Sequence, residues 1–197
     1  MRYLISALSL ALLSSTVHAQ HLKPTPEAGL WQVTQTTTIN GKNLNQGIIE
    51  MQEGIIARQP ADKQAMLREV LVDQDPATSL TCASDEDLAE FTDRRIWLAD
   101  FMADLEHDCT LPVEHFDGNR HEFRLSCNDI GDGLRGEITN EKRIINPQHM
   151  VINMHTVGIA QADLTKLGGP ANLQAPYDAK RTEVFTWLGP DCGDITD

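Results

Sequence analysis

Residues 109–127 read CTLPVEHFDGNRHEFRLSC, and this stretch decides the fold. Apolar and polar side chains alternate on both sides of Asp117-Gly118-Asn119, and this tripeptide is typical of a tight turn. A three-residue loop at this turn would match the apolar residues of the two strands and would place Cys109 opposite Cys127. The stretch therefore predicts a β-hairpin whose strands are joined by a disulfide.

The same register places His115 opposite His121. Two imidazoles on opposed residues could hold Zn²⁺ or Cu²⁺. A solvated cross-strand pair is the simpler interpretation, because the spacing of the sequence places no third ligand beside them. We therefore expect no cofactor, and a metal-binding protein that uses His115 and His121 remains the second alternative function.

The alternation of the hairpin continues along much of the chain. Strands are predicted near residues 30–39, 78–82, 109–116, 121–128, 134–144, 149–158 and 178–188. Residues 60–72 and 85–105 have helical spacing, residues 48–56 are ambiguous, and residues 161–176 are predicted as a loop. The sequence predicts a mainly β fold with helical inserts (α+β), an antiparallel meander of about seven strands that forms a curved sheet or a partly closed barrel.

The four cysteines are predicted to form disulfides. An even number of cysteines without any C-x-x-C pair favours disulfides over a zinc site in an exported chain. Four cysteines allow three connectivities, and the hairpin register favours Cys109–Cys127. That choice leaves Cys82 to pair with Cys192.

The first nineteen residues have the order of a signal peptide. Arg2 is followed by an apolar run over residues 3–13 and by Val17-His18-Ala19, a small-residue cleavage signal. No later stretch is apolar for the roughly 20 residues that a spanning helix needs. We predict a signal peptide at 1–19 and a single β-rich domain at 20–197, soluble and exported to the periplasm.

Composition and motifs exclude several classes of function. The chain has 16 Lys+Arg and 29 Asp+Glu and a formal net charge of −13, which argues against nucleic acid and anionic membrane surfaces as partners. It contains no G-x-S-x-G, no phosphate-binding glycine loop and no H-E-x-x-H. We therefore predict no catalytic residue, and the sequence leans away from an enzyme.

Two segments at the ends of the predicted domain, together with the cysteines, resemble a known family. Gly29-Leu30-Trp31 opens the first strand, and Trp187-Leu188-Gly189-Pro190-Asp191-Cys192 closes the last. With the four cysteines these segments resemble the domain of unknown function 3617 family of small exported bacterial proteins. The resemblance implies a disulfide-bonded periplasmic β domain and no particular reaction or ligand. The long excursion at residues 161–176 departs from the usual pattern.

These observations favour an exported, non-catalytic structural or binding module. A lipocalin-like carrier of a small apolar ligand is the alternative, and it needs an apolar cavity of roughly 300 Å³ or more. The predicted helices at 60–72 and 85–105 are apolar enough on one side to lie on the dry face of the sheet, which they would fill or cover as a lid. The partner is then a small apolar ligand or an envelope protein. Trp31 and Trp187 are expected to plug the core.

Overall fold

A computed structural model describes residues 21–71, 77–104, 108–110, 112–131, 134–162 and 173–195. The predicted signal peptide and most of the predicted loop at 161–176 lie outside these ranges. Within them the strands are β1 (Gly29–Ile39), β2 (Lys42–Asn43), β3 (Thr78–Ala83), β4 (Val113–Phe116), β5 (Arg120–Gly131), β6 (Leu134–Asn146), β7 (His149–Ala162) and β8 (Leu173–Gly189). The helices are α1 (Leu44–Ile56), α2 (Ala61–Leu71), α3 (Asp85–Thr92) and α4 (Arg94–Asp104).

All eight strands belong to one antiparallel sheet, which is curved and not closed. Strands β4 to β8 form a meander in which each strand pairs with the next, and β1 pairs with β8. The other edge of β1 is shared, because β3 pairs with its first half and β2 with its last two residues. The predicted antiparallel α+β fold is confirmed. The sheet has eight strands instead of about seven because the two-residue β2 follows the turn at Asn40-Gly41.

Local capping determines where the helices begin. Asn43 accepts a hydrogen bond from the backbone N–H of Gln46 (3.1 Å), and the ambiguous stretch 48–56 is therefore helical as part of α1. The predicted helix at 85–105 is two helices, because Asp93 has an extended conformation between them. Its carboxylate then accepts from the backbone N–H of Arg95 (2.8 Å), at the start of α4.

The helices do not all lie on the sheet as predicted. Helices α3 and α4 contribute Leu88 and Trp97, among other residues, to the two hydrophobic clusters of the sheet. Helix α2 packs against α1, and its Met66 side chain stays exposed. None of the helices in the described ranges combines the length and the apolar character that a membrane-spanning helix requires.

The predicted hairpin register is wrong by one residue in β4 and β5. Phe116 pairs with His121, and His115 pairs with Glu122, so the loop has four residues instead of three. Cys109 still lies opposite Cys127, which means that the first side of the hairpin has one extra residue before Val113. The extra residue is a bulge, and the segment that holds it includes Pro112. Proline has no N–H to donate to a strand ladder and is tolerated at such irregularities.

The core lies on the face of the sheet that α3 and α4 cover, which we call the inner face. Under α3 the buried cluster consists of Leu22, Trp31, Leu88, Ile144 and Met150. Under α4 it consists of Phe123, Leu125, Cys127 and Ile138. The buried polar side chains of His121 on β5 and of Asn140 and Lys142 on β6 lie between these two apolar clusters. Buried polar groups are often part of functional sites, so we look for a candidate site in this region.

Candidate functional site

A cleft of about 360 Å³ lies between α3 and the inner face, and we call it cleft 1. Its walls come from strands β1, β3, β7 and β8 and from α3. The lining residues are Trp31, Thr81, Cys82, Ala83, Asp87, Leu88, Phe91, Met150 and Phe185. Most of these side chains are apolar, and Asp87 is the charged residue among them.

Asp87 belongs to the start of α3 and has a structural partner. Its carboxylate accepts hydrogen bonds from the backbone N–H (2.8 Å) and the hydroxyl (2.5 Å) of Ser84, and Ser84 in turn accepts from the Asp87 N–H. This capping box holds the first turn of the helix. The hydrogen bonds from Ser84 lower the pKa of Asp87 below its usual value. The carboxylate is exposed and stands at the rim of cleft 1.

A second cleft of about 260 Å³ lies under α4, and we call it cleft 2. Its lining residues are Trp97, Phe101, Asn140, Ile152, Met154, Arg181 and Glu183. The guanidinium Nε of Arg181 donates to a carboxylate oxygen of Glu183 (3.0 Å), so these two charges neutralise each other. Cleft 2 therefore differs from cleft 1 in that polar groups form part of its floor.

Lys142 lies buried between the two clefts, with 1% of its surface exposed. Its ammonium donates to the carbonyl of Phe91 (2.6 Å), near the C-terminus of α3, where a positive charge is favourable. It also lies 3.6 Å from the ring centroid of Phe91 and 4.3 Å from that of Trp97. One residue thus ties a wall of cleft 1 and a wall of cleft 2 to the sheet.

No carboxylate in the described part of the chain lies within ion-pair distance of Lys142. Burial disfavours the charged form and lowers the pKa of Lys142 to about 7, although the negative charge of Asp100 opposes this shift. The Lys142 side-chain amine is therefore close to half protonated near neutral pH, where an exposed lysine would be fully charged.

His121 is buried beside Lys142, and His115 does not lie opposite it. Its Nε2 is hydrogen-bonded to a carboxylate oxygen of Glu114 (2.9 Å), and its Nδ1 has no hydrogen-bond partner in the described part of the chain. Burial lowers the pKa of His121, with Glu114 opposing the shift. His115 pairs with Glu122 on the opposite face of the sheet and is exposed beside Asp117. The predicted register, which places His115 opposite His121, is therefore wrong.

No alternative metal site emerges from the geometry of the described residues. They contain no group of three or more His, Cys, Asp or Glu side chains that could hold a metal ion. All four cysteines are in disulfides. Cys82 is bonded to Cys192 across 110 residues of sequence, and Cys109 is bonded to Cys127 across 18. This pairing is the one that the hairpin argument suggested. Cys82 also lines cleft 1.

Comparison with known proteins adds a family but no ligand. The family model for proteins of unknown function named DUF3617 matches residues 26–192. The chain belongs to the DUF3617 family. Neither the curated proteins nor the solved structures gave a match.

The two segments that resemble this DUF3617 family lie side by side. Trp31 on β1 pairs directly with Trp187 on β8. The indole N–H of the buried Trp31 donates to the carbonyl of Glu27, and that of the partly buried Trp187 donates to the carbonyl of Ala28, both at 3.0 Å, so each indole has a partner. The first strand of the DUF3617 chain is thereby fixed to the last, and Trp31 forms one wall of cleft 1.

Gly29, two residues before Trp31, occupies a position that requires glycine. Its φ is +130°, and a Cβ atom at this position would lie 2.2 Å from the carbonyl oxygen of Gly189. Only glycine combines this backbone conformation with such a close approach. The G-L-W segment of β1 and the W-L-G segment of β8 therefore pack directly against each other in the DUF3617 chain.

Sequence reasoning missed Lys142 and Asn140. On β6 the inward positions are Ile138, Asn140, Lys142 and Ile144, and all four are buried. The signal that could have found them was the phase of the strand, because an amide and a lysine share the face of two isoleucines. A lysine in a strand is expected to face solvent, and this expectation fails where aromatic rings and a helix C-terminus accept the charge.

Proposed function

We propose that this protein is an exported binding module that holds a small apolar molecule in cleft 1. Cleft 1 carries the proposal because its volume of about 360 Å³ lies in the range of roughly 300–1,000 Å³ that is typical of sites for drug-sized molecules, and because most of its lining is apolar. The alternative of a lipocalin-like carrier, which depended on such a cavity, is therefore favoured over a purely structural role.

The lining of cleft 1 supports an apolar ligand. Trp31, Leu88, Met150 and Phe185 present rings and aliphatic groups, and burial of apolar surface stabilises a complex by about 25 cal/mol per Å². The charged Asp87 lies at the rim and is already engaged by Ser84. A ligand that kept an ionised group in the floor of cleft 1 would lose its hydration there without gaining a partner.

Export supports the same proposal. Both disulfides favour an oxidising compartment, and residues 1–19 have the sequence of a signal peptide. We propose that the chain is cleaved after Ala19 and acts in the periplasm. Intact-mass measurement of the protein from the periplasmic fraction should give a chain that begins at Gln20. A mass that still includes Met1–Ala19 would contradict export by this route.

A cleft-filling variant tests the ligand proposal. Thr81 is partly buried and lines cleft 1, so Thr81→Phe should fill part of it. The neighbouring Leu80 is 48% exposed and does not line the cleft, so Leu80→Phe adds a ring to the same strand as a matched control. With the uncharged probe N-phenyl-1-naphthylamine, we expect at least tenfold weaker binding for Thr81→Phe. Binding to Leu80→Phe should match the unmodified protein.

Methionine methyl groups give an independent readout in the unmodified protein. Met150 lines cleft 1, whereas Met154 lines cleft 2. With ¹³C-methyl methionine labelling, the naphthylamine probe should move the Met150 resonance and leave Met154 in place. Absence of probe binding, or binding that leaves Met150 unmoved, would overturn the proposal.

A further inference from the structure

We propose that cleft 2 is a second binding site, which takes a small, neutral, planar aromatic molecule that carries an N–H or O–H donor. The site is separate from cleft 1, and the inference does not depend on what cleft 1 binds. Three features of cleft 2 lead to it: an unpartnered buried amide, two aromatic walls and a self-neutralised ion pair.

The amide belongs to Asn140, which is 4% exposed and lines cleft 2. Its side-chain oxygen has no hydrogen-bond partner in the described part of the chain. Buried polar atoms are satisfied in the great majority of folded proteins, and an unsatisfied one destabilises the fold. A ligand N–H or O–H would supply the missing donor.

The walls of cleft 2 favour a flat ring. Trp97 and Phe101 of α4 both line it, and Ile152 and Met154 of β7 add an apolar floor. Trp97 is fixed in place, because its ring packs edge-on against Phe123 at 5.1 Å and against His121 at 5.0 Å. A wall that is held by its neighbours loses little freedom when a ligand stacks on it.

The charges favour a neutral ligand. Arg181 and Glu183 both line cleft 2, but they are bonded to each other through two guanidinium nitrogens. An added anion would compete with Glu183 for the guanidinium, and an added cation would compete with Arg181 for the carboxylate. Either competition disrupts the two hydrogen bonds that Arg181 donates to one carboxylate oxygen of Glu183, so an uncharged donor is preferred.

Indole and 1-methylindole form the matched probe pair, because they have the same ring system and only indole has an N–H. With ¹³C-methyl methionine labelling, indole should move the Met154 resonance without moving Met150. We expect 1-methylindole to bind at least tenfold more weakly than indole. This comparison uses the unmodified protein and therefore does not depend on the folding of any variant.

Asn140→Leu separates a binding role from a structural one. Because the variant removes an unsatisfied buried amide, its melting temperature should match or exceed that of the unmodified protein, while indole affinity falls at least tenfold. The control is Thr156→Val, which removes a buried hydroxyl from the inner face outside the cleft and should leave indole binding unchanged.

Four results would overturn the proposal. They are equal affinities for indole and 1-methylindole, indole binding that survives Asn140→Leu, failure of indole to bind, and an indole-induced shift of Met150 instead of Met154. The naphthylamine experiment on cleft 1 reports through a different methyl group, so failure at one cleft is distinguishable from failure at the other.

Discussion

Replacing Lys142 with methionine is expected to stabilise the protein at neutral pH and to remove a pH dependence of its stability. The pKa of Lys142 is about 7 in the folded protein, against 10.5 for an ordinary lysine. Between these two values the unfolded chain binds a proton that the folded chain does not, so the free energy of unfolding rises with pH. Below pH 7 both states are protonated, and this contribution no longer changes.

The expected size of the effect follows from the distance between the two pKa values. Each pH unit between them is worth about 1.4 kcal/mol, so Lys142 should account for a rise on the order of 4 kcal/mol from pH 7 to pH 10.5. The variant should lack this rise and should gain about 2 kcal/mol over the unmodified protein at pH 7. This gain is smaller because the Phe91 carbonyl loses its donor.

Urea unfolding between pH 6 and pH 10 measures this prediction. Lys180 is an exposed lysine on β8, so Lys180→Met removes a charge of the same kind without the burial. The control should retain the pH dependence of the unmodified protein. Parallel pH profiles for the unmodified protein and Lys142→Met would show that the ammonium is not held in a buried environment.

Loss of the Cys82–Cys192 disulfide is expected to be the most destabilising change. This bond spans 110 residues of sequence, and closure of a loop of that length is worth about 4–5 kcal/mol. The double variant Cys82→Ala/Cys192→Ala should lose that much unfolding free energy. Because Cys82 lines cleft 1, the variant should also bind N-phenyl-1-naphthylamine more weakly.

The second disulfide provides the control. Cys109–Cys127 spans 18 residues, so Cys109→Ala/Cys127→Ala should lose about 3 kcal/mol and retain probe binding. Denaturant unfolding and probe titration of both double variants decide the matter. Equal losses of probe affinity would mean that general destabilisation, and not the edge of cleft 1, controls binding.

The sequence predicted the class of fold because its strongest signals are local. Period-two alternation, the turn at Asp117-Gly118-Asn119 and the capping pattern at Ser84 depend on neighbouring residues only. The disulfide between Cys109 and Cys127 was predicted correctly from a register that is wrong nearer the turn. A bulge absorbs the difference, and its position depends on the whole hairpin ladder, not on the spacing of the apolar residues.

The candidate site was less predictable because it is built from distant parts of the chain. Cleft 1 joins Trp31, Leu88 and Phe185, which alternation assigns to the core without revealing that they leave a gap. Lys142 was not predicted as a buried residue, because a lysine is rarely buried without a carboxylate. Its actual partners, the Phe91 carbonyl and two rings, come from helices whose placement on the sheet no local pattern determines.

Native mass spectrometry of the protein, purified without denaturation from the organism that makes it, tests the central claim most directly. We predict a complex in which the unmodified protein retains a small apolar molecule, and a loss of that molecule in Thr81→Phe but not in Leu80→Phe. A bare protein mass for the unmodified chain, or an equal amount of retained ligand in Thr81→Phe, would contradict the assignment of cleft 1 as the binding site.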